Sequence, residues 1–231
     1  MLDLTILMPC LNEAGAVGLC VRDALRFLAG GGLAGGGLAG EVLVVDNGSD
    51  DGSAAEAARA GARVIHEARP GYGRALRTGL AESRGRVILM GDSDTTYDFL
   101  RMEGLWRPLA EGSCDLMIGD RLHGGMEKGA MSLSHRIGVR ALSALARHRF
   151  HCEVRDFHCG LRGITRAAAE KLDFQCDGME FATEMIARAA KAGMRIGQAP
   201  VPLRRSRVKR QPKIRTFRDG WRHLRYILRG W

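Results

Sequence analysis

The segment Met90-Gly91-Asp92-Ser93-Asp94 sets two carboxylates at positions i and i+2, directly after the apolar run over 86–90. At the C-terminal end of a buried strand such a pair converges on one hard cation. Mg²⁺ or Mn²⁺ prefers oxygen ligands and bridges to substrate phosphates, and open α/β sheets bind ligands at this edge. The same D-x-D also occurs as plain turn chemistry, so its neighbours decide. Pro9-Cys10-Leu11-Asn12-Glu13 follows one apolar run, and Val45-Asp46-Asn47-Gly48-Ser49-Asp50-Asp51-Gly52-Ser53 spans the end of another. Arg69-Pro70-Gly71-Tyr72-Gly73-Arg74-Ala75 leads into a helical stretch.

The elements that must position these residues are legible in the pattern. Residues 4–9, 41–46, 62–66, 86–90 and 115–119 are short apolar runs ending in turn residues, and 195–203 is a last strand limited by Pro200 and Pro202. Helical patterns fill 14–28, 53–60, 73–83, 101–111, 135–148 and 179–192. Strands alternating with helices predict an α/β fold with a mostly parallel sheet covered on both faces. Residues 30–39, a GGGLA tandem repeat, read as a flexible surface loop. Residues 120–134, rich in Gly and Met, read as a mobile loop, and 155–165 (RDFHCGLRGIT) form a cluster without a clear period.

At 231 residues the chain fits one domain. Hydrophobic residues make up 45%, which excludes a wholly disordered chain. No apolar run approaches the ~18 residues of a membrane-spanning helix, and Met1-Leu2-Asp3 does not open a signal peptide. Six scattered cysteines without a C-x-x-C pair read as reduced thiols of a cytoplasmic protein. The net charge of +9 is unevenly placed: residues 204–231 hold 11 Lys+Arg against Asp219 alone, leaving 1–203 near neutrality. A basic tail of this kind implies an anionic partner. Arg outnumbers Lys 30 to 5, as expected of a GC-rich bacterial genome.

In this order and spacing, the motifs ending in GDSD resemble the family 2 glycosyltransferases with the GT-A fold. Asp156-Phe157-His158-Cys159-Gly160-Leu161-Arg162 and Gly178-Met179-Glu180-Phe181-Ala182-Thr183-Glu184-Met185 are similar to the dolichol-phosphate mannose synthase-like branch. The resemblance covers about residues 4–225. It implies a metal-dependent inverting transfer from a GDP- or UDP-linked sugar to a polyprenyl phosphate, with a soluble small-molecule acceptor as the alternative.

By resemblance, Pro9, Leu11 and Glu13 frame the nucleoside, as do Val45 and Asn47, where the family's V-D-D turn has a second Asp. Asp92 and Asp94 hold Mg²⁺ or Mn²⁺ on the donor diphosphate, and Ser93 adds a backbone contact. Relatives often place a Gln where Thr96 stands. Arg121 and Arg136 match positions facing the acceptor phosphate, joined by Arg140 one turn on. Arg207 and Lys213 keep the spacing of a loop that closes over the donor phosphates, although Lys209, Arg210 and Pro212 replace its usual residues. Asp156 is the candidate for orienting the acceptor, or for base work on a hydroxyl acceptor.

Two parts follow from this: a catalytic domain over 1–203 and a basic loop with an amphipathic helix over 204–231. Phe217, Trp221, Leu224, Leu228 and Trp231 form one apolar stripe, with Arg218, Arg222, Arg225 and Arg229 off it. That pattern suits a helix in a membrane interface and equally a helix packed on the domain. Relatives often carry membrane helices further on; here the expectation is peripheral contact with the inner face of the membrane through 217–231. Nucleic-acid binding by the Arg-rich tail is a separate reading, but no nucleic-acid fold motif accompanies it. His148, His151, Cys152, His158 and Cys159 match no zinc-site spacing. Glu180 and Glu184 read as structural carboxylates near a helix start. No dinucleotide fingerprint or P-loop is present.

Overall fold

The computed structural model describes residues 2–30, 37–208 and 216–229, with the backbone alone at Thr216 and Phe217. The elements run β1 (Leu2–Cys10), α1 (Val17–Gly30), β2 (Gly40–Asp46), α2 (Ser53–Arg59), β3 (Arg63–His66), α3 (Tyr72–Glu82), β4 (Gly85–Met90) and α4 (Glu103–Ala110). Then come β5 (Leu116–Asp120), α5 (Leu133–Phe150), β6 (Arg162–Thr165), α6 (Arg166–Ala169), α7 (Phe181–Lys191), β7 (Ile196–Pro200) and α8 (Thr216–Arg229).

Among the described residues seven strands form one sheet in the order β3-β2-β1-β4-β6-β5-β7. β1 is central, paired in parallel with β2 (Leu4↔Gly40 to Cys10↔Asp46) and with β4 (Leu2↔Gly85 to Leu7↔Met90). Residues 4–10 of β1 are all buried, as a strand covered on both faces requires. Truncating one of these, Leu7→Ala for instance, would cost about 2–5 kcal/mol. The single hydroxyl in the run bonds in both directions. Thr5 Oγ1 accepts from Gly85 N at 2.8 Å and donates to Glu41 Oε1 at 3.0 Å, fixing the start of β4.

The expected mostly parallel α/β architecture is present, with one antiparallel insertion. β6 lies between β4 and β5 and runs against both. Its four residues, Arg-Gly-Ile-Thr, show neither alternation nor an apolar run, so the sequence pattern does not reveal a strand there. Arg162 is 2% exposed and is satisfied by carbonyls: Nε donates to Cys159 O at 3.0 Å and Nη1 to Ala182 O at 2.9 Å.

α8, the helix of the basic segment expected over 204–231, packs on α5 and α7. Asp219, His223 and Ile227 form its buried face. The apolar stripe does not: Trp221 is 64% and Leu228 63% exposed. The Phe217 side chain, Trp231, Lys213 and residues 31–36 of the glycine repeat lie outside the described residues. No described helix is long and apolar enough to cross a membrane.

Candidate functional site

The C-terminal ends of β1, β2 and β4 open into a cleft of about 490 Å³, walled on the far side by α8. Its floor is stitched between loops. Asn12 N donates to Ser49 Oγ at 2.9 Å, Glu13 N to Ser53 Oγ at 2.8 Å, and Ala14 N to Asp51 Oδ2 at 2.9 Å. Pro9, Leu11 and Glu13 line the cleft, and so do Asn47, Asp92, Ser93 and Asp94. Val45 does not; it is wholly buried within β2.

Asn47 explains its own departure from the family's Asp. Its Nδ2 donates to two backbone carbonyls, Glu67 O at 2.9 Å and Arg69 O at 2.8 Å, while Oδ1 accepts from Gly71 N at 2.7 Å. A carboxylate supplies no donors and would face two carbonyl oxygens. The residue shapes the loop that delivers Gly71 and Tyr72 to the cleft. Gly71 and Gly73 allow the start of α3 to press on 176–178: a Cβ would lie 2.2 Å from Asp177 O at the first and 2.4 Å from Cys176 O at the second.

The two aspartates are held differently. Asp94 is 7% exposed, and its Oδ1 accepts from Thr96 N at 2.9 Å and Thr96 Oγ1 at 2.5 Å. Thr96 therefore orients Asp94. Asp92 Oδ1 accepts from the Tyr72 hydroxyl at 3.0 Å. Ser93 Oγ donates to Pro9 O at 2.8 Å and ties the end of β4 to the end of β1. Gly160 completes the cradle: a Cβ there would stand 2.4 Å from Asp92 Oδ2. Two hard oxygen donors at one strand end, with space kept for one of them, fit a divalent cation.

Asp92 and Tyr72 also line a second cleft, between α5 and α8. Arg121 stands in its wall, bound to Asp156 through Nε–Oδ2 at 2.7 Å and Nη2–Oδ1 at 2.8 Å. The backbone N–H groups of Arg121 and His158 bring the donors on Asp156 to four. Wholly buried and so occupied, Asp156 has the geometry of a support for Arg121. Arg136 and Arg140, expected beside the acceptor, are exposed on α5 and line neither cleft. Arg207 is tied back, with Nη1 3.1 Å from Asp23 Oδ2 and its backbone N on Thr95 Oγ1 at 2.8 Å.

Several site residues carry no signal in the sequence that would assign them a role. Tyr72 lies inside the stretch 69–75, where nothing but the fold brings it to Asp92. His158 and His223 meet edge to face at 4.4 Å in the second cleft, the latter on Thr183 Oγ1 at 2.8 Å. Burial holds the His223 imidazole down at about 4. It also pushes His158 well below the ordinary range, reinforced by His223, Arg121 and Arg162 nearby. Arg218, Asp219 and Arg222 of α8 line the first cleft; nothing in their spacing marks that side of the helix as the one facing in. Burial lifts the Cys10 thiol to about 11 and the Cys20 and Cys159 thiols to about 12, so none is a nucleophile near neutrality.

The model of the glycosyl transferase family 2 matches residues 5–173. The chain belongs to that family. It is 34% identical over 226 residues to the low-salt glycan biosynthesis hexosyltransferase Agl6 of Haloferax volcanii, covering 97% of this chain and 53% of that protein. The chain thus spans about half the length of Agl6. A dolichyl-phosphate hexose transferase from the same organism is 30% identical, with 87% of this chain and 83% of the relative aligned. Glucosyl-3-phosphoglycerate synthase from Mycobacterium tuberculosis in complex with phosphoglyceric acid shares the fold, with a TM-score of 0.75 at 23% identity. That match covers 99% of this chain and 79% of the synthase. The same synthase with Mn²⁺, UDP-glucose and phosphoglyceric acid aligns with a TM-score of 0.72 at 21% identity, over 99% of this chain and 79% of the synthase. The fold of this family 2 glycosyltransferase is therefore GT-A.

Proposed function

We propose that the protein moves a hexose from a GDP- or UDP-linked donor to a polyprenyl phosphate at the cytoplasmic face of a membrane. The carrying observation is the junction of the two clefts. Asp92 and Tyr72 line both, Arg121 lines the second, and the helices flanking that cleft bear exposed Leu133, Ile137 and Trp221. A phosphate would sit against Arg121 while an apolar tail leaves between α5 and α8.

The nucleoside lies along Pro9, Leu11 and Glu13, and the loop pinned by Asn47 closes the cleft beside it. Asp92 and Asp94 would hold Mg²⁺ or Mn²⁺, which would neutralise charge growing on the departing diphosphate. An acceptor phosphate oxygen attacks the anomeric carbon as its bond to the diphosphate oxygen breaks on the opposite face, so configuration inverts. The bond's electron pair leaves with the diphosphate. A phosphate acceptor is already anionic at neutral pH and needs orientation more than deprotonation. Arg121 supplies that orientation with the donors Asp156 leaves it, since a guanidinium presents five N–H groups. Arg207 would complete the donor side once it is released from Asp23.

The test supplies Mn²⁺ and labelled UDP- and GDP-hexoses with either a short-chain polyprenyl phosphate or phosphoglycerate. Label on the polyprenyl phosphate, abolished by Asp92→Ala, supports the reading. Label on phosphoglycerate alone assigns a soluble acceptor instead.

A further inference from the structure

A second groove, of about 480 Å³, runs between α7 and α8, away from the aspartates. Among the described residues five basic side chains line it, Arg188, Lys191, Arg222, Arg225 and Arg229, against two acids, Glu180 and Glu184. Both acids are engaged within the fold. Glu184 accepts from Gln175 N at 2.9 Å, Cys176 N at 2.8 Å and Arg188 Nε at 2.8 Å, and Glu180 stands 3.0 Å from Arg222 Nε. Among the described residues Arg225 and Arg229 have no carboxylate partner, and they sit one turn apart on exposed backbone positions of α8.

The exposed half of α8 is divided lengthwise. At about 100° per residue, Trp221 and Leu228 fall on one strip with the half-buried Leu224 at its edge, and Arg222, Arg225 and Arg229 on the adjoining strip that faces the groove. An aromatic and two leucines beside a contiguous row of guanidiniums match the acyl and headgroup layers of a bilayer. On a nucleic acid the aromatic would instead need to interleave with the cations.

We propose that the α7–α8 groove binds the phosphate headgroup of an anionic phospholipid, with Arg225 and Arg229 as the principal contacts and Trp221 and Leu228 entering the interface beside it. This rests on the membrane-side acceptor assigned above, but it concerns a different ligand at a different site. It also places the mouth between α5 and α8 at the membrane surface.

The full chain is to be sedimented with neutral phosphatidylcholine vesicles and with vesicles containing phosphatidylglycerol, alongside the Arg225→Gln/Arg229→Gln and Trp221→Ala/Leu228→Ala variants. The proposal expects wild type to favour the anionic vesicles. The arginine pair of changes should lower that binding about tenfold or more, since each basic residue near the surface contributes appreciably. It should leave binding to neutral vesicles and transfer to a short water-soluble acceptor unchanged. The Trp221/Leu228 pair should weaken binding to both vesicle types. Wild-type binding that ignores vesicle charge, or an arginine variant equal to wild type on anionic vesicles, overturns the groove while the acceptor reading survives. Three further results also overturn it: no vesicle binding at all, a shift in melting point with inorganic phosphate that the arginine variant loses while its vesicle binding persists, or an RNA gel shift that alone responds to that variant. No vesicle binding counts against the membrane-side acceptor as well.

Discussion

The Tyr72 hydroxyl donates to Asp92 Oδ1 at 3.0 Å, linking the start of α3 to the end of β4 at the point where the two clefts meet. Groups that orient a metal-binding carboxylate typically matter 10–100-fold for metal affinity or activity. Tyr72→Phe should therefore fold with a melting temperature near wild type while requiring about tenfold more Mn²⁺ for half-maximal transfer. An unchanged Mn²⁺ titration would show that Asp92 needs no such support.

Gly160 acts on the same carboxylate by its lack of a side chain. Its Cβ position lies 2.4 Å from Asp92 Oδ2 and 3.0 Å from Asp92 Cγ, so Gly160→Ala must push the carboxylate aside. Thermal stabilisation by nucleoside diphosphate in the presence of Mn²⁺ should be lost, while the far-UV circular dichroism spectrum stays that of wild type. Retained metal-dependent stabilisation would mean that Asp92 has another position from which to bind.

Asn47→Asp tests the reading of the family departure. The change removes two donors from the carbonyls of Glu67 and Arg69 and aims negative charge at them. A lost partner on a buried polar group costs about 1–3 kcal/mol. Denaturant unfolding should show a loss of about 2–4 kcal/mol, at least as large as for Asn47→Ala. An Asp variant as stable as wild type would show that the carbonyls find donors elsewhere.

Much of this site is legible in the sequence because its parts are local. Asp92 and Asp94 sit two residues apart at the end of an apolar run, and a strand end delivers both to one edge. The fold class follows for the same reason: β1, β2, β4 and β5 each carry a short apolar run. What stays hidden depends on pairings far apart in the chain. β6 is held by its neighbours rather than by its own pattern. Asp156 and Arg121 are 35 residues apart and reveal their bond only when folded. On α8 the apolar stripe is plain to see, but the face that packs inward is Asp219, His223 and Ile227; His223 is received there by Thr183, so hydrophobicity alone points to the wrong side.

Two of those interior polar groups make stability depend on pH. The buried His223 is held at about 4, and His158 well below its ordinary range, whereas both titrate near 6.5 in an unfolded chain. Between these limits the unfolded state binds more protons, so acid favours unfolding: the stability present above pH 6.5 falls as pH drops toward 4. The flanking charges set the depth of the effect. Arg121, Arg162 and His135 lie near His158, and Arg162 and Arg222 near His223, all opposing a further positive charge, while Asp219 alone pulls His223 upward. From pH 8 to pH 5.5 protonation of His223 should remove about 1 kcal/mol, and about 3 kcal/mol by pH 4, with His158 acting in the same direction. Urea unfolding of wild type and His223→Gln at pH 8 and 5.5 measures this directly. Wild type should lose about 1 kcal/mol more than the variant over that interval, above the range where most carboxylates titrate. Equal losses would place the protonation of His223 outside the folding equilibrium and point to an imidazole already charged in the native cleft.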